Sequence, residues 1–283
     1  MSLPFSILAI AGLLYLIAFF FHLAAFWTDG RGVWPYAPTN QAALVLMRIG
    51  FLVHTFFFLS ESFAANTQTI PVSSFGQVMA FFAWSLAFVY LVLLARVQSE
   101  SFGLILAPLL SILVGIGLMR FDAGRHSLPS PLNPYFILHL GTAFFAYASF
   151  TLSFAAAVLY LIQHHELKRK KGGTFYHRLP SLEALEGLIY QPMAWGVFLL
   201  AMAIGIGFLW SKSAFGSYWL GEPKTVITIL IAVFYLFLVY FHYGTASRGK
   251  RLVVMSVVAF SFIFLSFFGM NFLGNGLHQL MRS

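Results

Sequence analysis

The residues that could do chemistry in this sequence are its histidines. The chain has nine histidines, eight acidic residues and no cysteine among 283 positions. Without cysteine, disulfides and thiolate sites are excluded, so any metal must be held by imidazole or carboxylate groups. An ionisable side chain inside a long apolar segment is costly and is usually functional, and four histidines remain candidates once those expected near an interface or in solvent are set aside. They are His54, His139, His242 and His278.

The composition predicts that the elements positioning these histidines are membrane helices. The chain is 60% hydrophobic and 8% charged, and its mean hydropathy is +0.86. Soluble domains carry roughly a quarter charged residues, so this chain requires lipid as its solvent. The first residues lack a basic segment and the apolar run continues to Trp27, which predicts a spanning helix rather than a cleaved signal peptide.

Eight apolar runs are long enough to cross a hydrocarbon core of about 30 Å. They predict one polytopic all-α membrane domain over residues 1–283, a bundle of eight transmembrane helices. A separate short amphipathic helix is expected at Pro180–Glu186, in the longest loop, 163–189. The runs are roughly 3–27, 41–63, 76–97, 102–119, 136–162, 190–210, 225–243 and 252–273.

Basic residues predict the orientation of the bundle. Eleven of the 16 lysines and arginines lie in or beside the loops that join helices 1–2, 3–4, 5–6 and 7–8, which share one side of the membrane. The other five lie on the opposite side. The side richer in basic residues faces the cytoplasm, where it can touch anionic lipid. Both termini are then external, in the inner (plasma) membrane of a bacterium. The net charge of +8 thus reflects topology rather than nucleic-acid binding.

This topology sorts the four histidines into two pairs. His139 and His278 are expected at the external face, and His54 and His242 within the bilayer. The other five are expected to be interfacial or solvated: His22 near the inner end of the first helix, His126 in an external loop, and His164, His165 and His177 in the cytoplasmic loop.

Paired histidines without cysteine or clustered carboxylates favour a non-covalent, b-type heme. Heme iron accepts two axial imidazoles and its macrocycle needs an apolar, aromatic slot, whereas zinc requires a third or fourth protein ligand. In the external stretch 213–224, the side chains of Phe215, Tyr218 and Trp219 could stack on a porphyrin. On residues alone, an interfacial aromatic belt is the favoured explanation of these three side chains.

The same stretch resembles a known motif. The run Phe215-Gly-Ser-Tyr-Trp-Leu-Gly-Glu-Pro-Lys-Thr225 is similar to the external loop W-G-x-Y-W-x-W-D-P-K-E of the cytochrome c assembly membrane proteins, the CcsA/ResC/HemX group. Five positions agree, and Phe215, Gly221, Glu222 and Thr225 depart from the pattern. The resemblance covers most of residues 45–280 and is strongest over 190–280.

The resemblance implies roles for the histidines. His139 and His278 become external axial ligands beside the aromatic loop, His242 becomes a membrane ligand and His54 its partner. Heme is then presented to apocytochrome c, with a second cytochrome c assembly membrane subunit as a further partner. Whether the chain forms part of a holocytochrome c synthase, which attaches heme, is left open.

Two other functions stay open from the sequence. The altered loop and the basic cytoplasmic segment favour a HemX-like membrane regulator of a heme-biosynthesis enzyme. Paired histidines on membrane helices also suit a b-type electron-transfer subunit that uses quinol.

Overall fold

Eight helices make up the regular structure of the computed structural model, which describes residues 2–28, 38–64, 72, 74–94, 100–120, 133–169, 179–218, 223–245 and 249–273. Each of the eight apolar runs corresponds to one helix, as the sequence predicts. The helices are α1 Leu3–Thr28, α2 Pro38–Ala64, α3 Phe75–Leu94, α4 Glu100–Met119, α5 Pro134–Arg169, α6 Leu182–Phe215, α7 Pro223–Gly244 and α8 Lys250–Leu273.

The helices have the length and composition of membrane spans. Seven of them, α1 to α7, are long and apolar enough to cross a bilayer. The prediction of an all-helical, multi-pass membrane protein is therefore confirmed. The side chains of α8 are described only as far as Ile263, so an eighth span stays a prediction, as does the side on which each terminus lies.

Two helices extend by nine residues or more beyond the apolar runs that predict them. α5 has 36 residues and α6 has 34, which at 1.5 Å per residue makes them about 54 and 51 Å long. Both therefore extend beyond a hydrocarbon core of about 30 Å.

The extensions correct two predictions about the cytoplasmic segment. His164 and His165 lie in the last turns of α5 rather than in a loop. No separate helix exists at Pro180–Glu186, because α6 begins at Leu182 and continues unbroken. Leu185, Leu188 and Ile189 are all buried. Their helical spacing places them on one face, so the buried face of α6 begins in its first turns and continues into the apolar span.

The chain divides into two compact units. The first unit comprises Met1–His126 and Ile162–Leu182, and the second comprises Ser127–Leu161 and Glu183–Ser283. His54 therefore belongs to the first unit, and His139 and His242 belong to the second. That the chain acts as one polytopic domain stays a prediction.

Close helix approach in the first unit depends on glycine. α1 packs against α2 and α4, and α3 packs against α4. Where α3 meets α4, a Cβ at Gly76 would lie 2.5 Å from the carbonyl oxygen of Arg120 and 2.6 Å from that of Gly117. Small residues of this kind let membrane helices pack backbone to backbone.

The second unit is joined through an aromatic contact across three helices. The ring of Phe150 on α5 stacks on Tyr235 of α7, with centroids 4.1 Å apart. The same ring lies against Gly196 of α6, where a Cβ would be 2.6 Å from Phe150 Cε1. α7 also packs against α8.

We expect Gly76→Ala to destabilise the first unit by about 1–3 kcal/mol, as overpacking of a tight contact does. The added methyl group meets backbone oxygens, which cannot rotate away as a side chain would. Thermal unfolding in detergent measures the effect. Gly115→Ala is the matched control, since a Cβ there meets nothing within 4 Å. Equal unfolding temperatures for the two variants would contradict the packing described.

Candidate functional site

The imidazole of His139 is held by the backbone of a neighbouring helix. His139 lies near the start of α5, is half-buried, and its Nδ1 is 2.8 Å from the carbonyl oxygen of Ala203 on α6. A carbonyl oxygen only accepts, so Nδ1 carries the proton and donates it. In the neutral ring the lone pair then lies on Nε2, the arrangement usual for a histidine that ligates a metal.

Gly207 makes this hydrogen bond possible. A Cβ at position 207 would lie 2.8 Å from His139 Nδ1 and 2.9 Å from Cε1. In an α-helix the carbonyl of Ala203 also accepts from the N–H of Gly207, and its second lone pair serves the imidazole. The missing side chain at position 207 is therefore the opening through which His139 reaches the backbone of α6.

Trp210 supplies an aromatic surface on the same face of α6. Its ring stacks on His139, with centroids 6.0 Å apart and planes inclined by 15°, and Phe136 packs on it from α5 at 5.1 Å. Positions 203, 207 and 210 share one face because they are spaced by four and three residues. One stripe of α6 thus provides the acceptor, the space and the aromatic ring for His139.

The end of α6 carries further aromatic side chains that the sequence predicts as heme contacts. Phe215 packs edge-on against Trp210, with centroids 5.8 Å apart. Lys212 Nζ lies 5.1 Å from the ring centroid of Tyr218. Phe215 and Tyr218 are 41% and 50% exposed, so they are accessible to a ligand.

Two local contacts fix this aromatic terminus. Gly216 has φ +72° and its N–H donates to the carbonyl of Lys212 at 3.0 Å, which ends the helix with a left-handed cap. Asn133, which precedes α5, donates from Nδ2 to Ser213 Oγ at 3.2 Å. The start of α5, and with it His139, is thereby tied to the end of α6.

The stretch 213–224 is thus partly helical, which corrects its prediction as a connecting segment. Residues 213–215 form the last turn of α6, and α7 begins at Pro223. Trp219 and His278 lie outside the described residues. The pairing of His139 with His278 therefore stays a prediction.

His242 is held by stacking. It lies in the last turns of α7, is 9% exposed, and is nearly parallel to Tyr190 of α6, with centroids 3.7 Å apart and planes 11° apart. Tyr243 packs edge-on against it at 4.7 Å. The ring is therefore enclosed by two tyrosines within the second unit.

His54 is sealed inside the first unit. It is fully buried, stacks on Phe58 at 5.6 Å, and its Nδ1 is 3.4 Å from the hydroxyl oxygen of Tyr15. Its Nε2 is also buried, and the backbone of Ala80 on α3 is a hydrogen-bond partner of the imidazole. A ligand could reach Nε2 only if side chains packed around it moved. His54 and His242 belong to different units, so their pairing stays a prediction.

Sequence reasoning missed the residues that hold these histidines. The spacing of Gly207 and Trp210 is visible in the sequence, because residues three apart lie on one helix face. It predicts a space beside an aromatic ring but does not link either residue to His139. Tyr190 has no such signal, since nothing in the sequence links it to His242. His22, expected at the interface, is only 2% exposed and packs against Gly103.

Comparison with known proteins points to one family. The family model described as Cytochrome C assembly protein matches residues 49–278. The chain is 27% identical over 262 residues to Protein HemX of Brevibacillus brevis, covering 90% of this chain and 92% of the relative. It is 25% identical over 263 residues to the cytochrome c biogenesis protein CcsA of Porphyra purpurea, covering 78% and 81%. A CcsA of Guillardia theta is 24% identical over 230 residues, 74% and 76% of the two chains. This chain belongs to the cytochrome c assembly protein family.

Proposed function

We propose that this protein binds heme in the membrane and takes part in cytochrome c maturation. The observation that carries the proposal is the His139 imidazole, which donates from Nδ1 to Ala203 and so has its lone pair on Nε2, the nitrogen that would ligate a metal. Membership of the cytochrome c assembly family supports heme as the cargo.

The residues around His139 fit heme chemically. Trp210 stacks beside the imidazole, and the exposed rings of Phe215 and Tyr218 offer apolar surface for a macrocycle. Lys212 lies beside Tyr218, where an ammonium group would neutralise a propionate. In this proposal Trp219 completes the platform and His278 is the second axial ligand.

A second heme position is proposed at His242 in the second unit, and His54 in the first unit is proposed as a further heme ligand. The burial of His54 against aromatic rings supports its role, because a porphyrin needs an apolar and aromatic slot. Heme bound at the external position would be presented to apocytochrome c, whose cysteine thiols react with heme vinyl groups. The protein's contribution to that step is proximity and orientation. A second assembly subunit of the membrane is the further partner proposed.

One alternative has an observation in its favour. The match to the protein named HemX covers 90% of this chain, against 78% for the Porphyra purpurea CcsA, and Gly221 stands where the family loop has tryptophan. We therefore keep a regulatory role toward a heme-biosynthesis enzyme as the second candidate. Recovery of cytoplasmic tetrapyrrole enzymes with the purified protein, undiminished by His139→Ala, would favour it over heme delivery.

His139→Ala is expected to lower the heme bound per protein severalfold, because no other group in α5 can replace the imidazole at that position. The Soret absorbance of purified, heme-reconstituted protein measures the loss. His165→Ala is the control, since His165 is an exposed histidine of the same helix. Unchanged absorbance in the His139 variant would exclude it as a ligand.

Gly207→Ala is expected to release heme about 10-fold faster, the usual effect of disturbing the group that orients a metal ligand. The methyl group would displace the His139 ring from Ala203 without removing the histidine. Heme transfer to apomyoglobin gives the rate. Gly205→Ala makes the same change two residues away, where a Cβ meets nothing within 4 Å, and should release heme at the parent rate. Equal rates of heme release for the two variants would show that Gly207 does not help to position His139 for heme.

The orientation can be tested cleanly because the chain has no cysteine. We expect Ser217→Cys to react with a membrane-impermeant maleimide in intact cells, and His165→Cys to react only after permeabilisation. Both positions are exposed, so access to the reagent depends on the side of the membrane. The reverse pattern would invert the proposed topology and place the His139 site on the cytoplasmic side.

A further inference from the structure

The stack of Tyr190 on His242 is much closer than the other imidazole stacks described. Its centroids are 3.7 Å apart, compared with 5.6 Å for His54 and Phe58 and 6.0 Å for His139 and Trp210. At 3.7 Å and 11° the two rings overlap face to face. The imidazole cannot then turn about its Cβ–Cγ bond without striking the phenol ring.

Tyr190 is itself held rigidly. Its side chain is fully buried in the second unit, so it has no room to swing away from His242. One turn earlier on α6, the Glu186 carboxylate accepts a hydrogen bond from the Tyr160 hydroxyl of α5. Residues 186 and 190 share a helix face because they are four apart. The tie between α5 and α6 therefore lies directly beside the stacked pair.

The hydroxyl group of Tyr190 is not what fixes the ring. Its oxygen is buried and has no hydrogen-bond partner. A phenylalanine would fill the same space without burying an unsatisfied polar group. Any positioning effect on His242 must therefore come from the aromatic face, and replacement by phenylalanine should preserve it.

We propose that Tyr190 is the positioning residue of the inner heme site, holding the imidazole plane of His242 in one orientation for axial ligation. This rests on the proposed function, in which His242 ligates heme. A ligand whose plane is fixed before iron arrives loses less freedom on binding, which raises affinity. It also gives the bound iron one defined ligand geometry instead of a spread of orientations.

The test compares Tyr190→Phe and Tyr190→Leu in full-length, heme-reconstituted protein. Tyr190→Leu should release heme from the inner site about 10-fold faster, as loss of a ligand-orienting group does. Its low-spin ferric electron paramagnetic resonance signal should broaden or shift, because that signal depends on the orientation of the ligand planes. Tyr190→Phe should keep the parent rate and signal. Parent-like behaviour of the leucine variant, or leucine-like behaviour of the phenylalanine variant, would overturn the proposal.

Tyr235→Leu controls for the loss of a buried, stacked tyrosine. Tyr235 is 1% exposed and stacks on Phe150 at 4.1 Å, in the same unit but without an imidazole. It should lower the unfolding temperature as much as Tyr190→Leu does, while leaving the heme signal unchanged. If Tyr235→Leu altered that signal equally, general loosening of the unit rather than orientation of His242 would be the cause.

A heme-free measurement separates failure of this proposal from failure of the proposed function. Diethyl pyrocarbonate modification, read residue by residue by mass spectrometry, reports how well each imidazole is covered. Relative to His165, His242 should react severalfold faster in Tyr190→Leu than in the parent or Tyr190→Phe. An unchanged ratio would show that Tyr190 does not hold the His242 ring in place. If the ratio increased but His242→Ala left the heme content unchanged, Tyr190 would be confirmed as holding the His242 ring. Only ligation of heme by His242 would then be refuted.

Discussion

The hydrogen bond from the His139 imidazole to a backbone carbonyl of α6 is the interaction on which the His139 site depends. A donor that is buried without an acceptor costs roughly 1–3 kcal/mol. His139 solves the problem with a backbone carbonyl of another helix. The choice has two consequences. It determines which ring nitrogen keeps its lone pair, and it forces α6 to present a residue without a side chain at position 207.

The three described candidate ligands are held in three different ways, and each way predicts a different behaviour toward a ligand. His139 is oriented by a hydrogen bond and is half-buried, so a ligand would need little rearrangement to reach its ring. His242 is oriented by a stacked ring. His54 is fully enclosed by apolar and aromatic side chains and must be uncovered before it can bind. Ligation at His54 is therefore coupled to movement of its neighbours.

The sequence is sufficient to predict the helices but not their contacts. Apolar runs locate all eight helices because a segment that crosses lipid must be apolar. They do not predict the ends of α5 and α6, because these helices continue into polar sequence where the hydropathy falls. His139 is identifiable from its type and position. Its partners Ala203, Gly207 and Trp210 are not, because they depend on which face of α6 turns toward α5. Periodicity in a helix that is apolar all round does not reveal that face.

The opening at position 207 has a consequence for how this protein can change over time. Two glycines stand two residues apart on α6, and only one of them touches the imidazole. A substitution of Gly205 by alanine would leave the His139 ring in place, because a Cβ there meets nothing within 4 Å. The same substitution at Gly207 would displace the ring. A lineage that no longer needed the site proposed at His139 could abolish it in one step while keeping every histidine. Retained histidines alone are therefore a poor guide to which relatives still use that site, and the residue at the position of Gly207 is the better one.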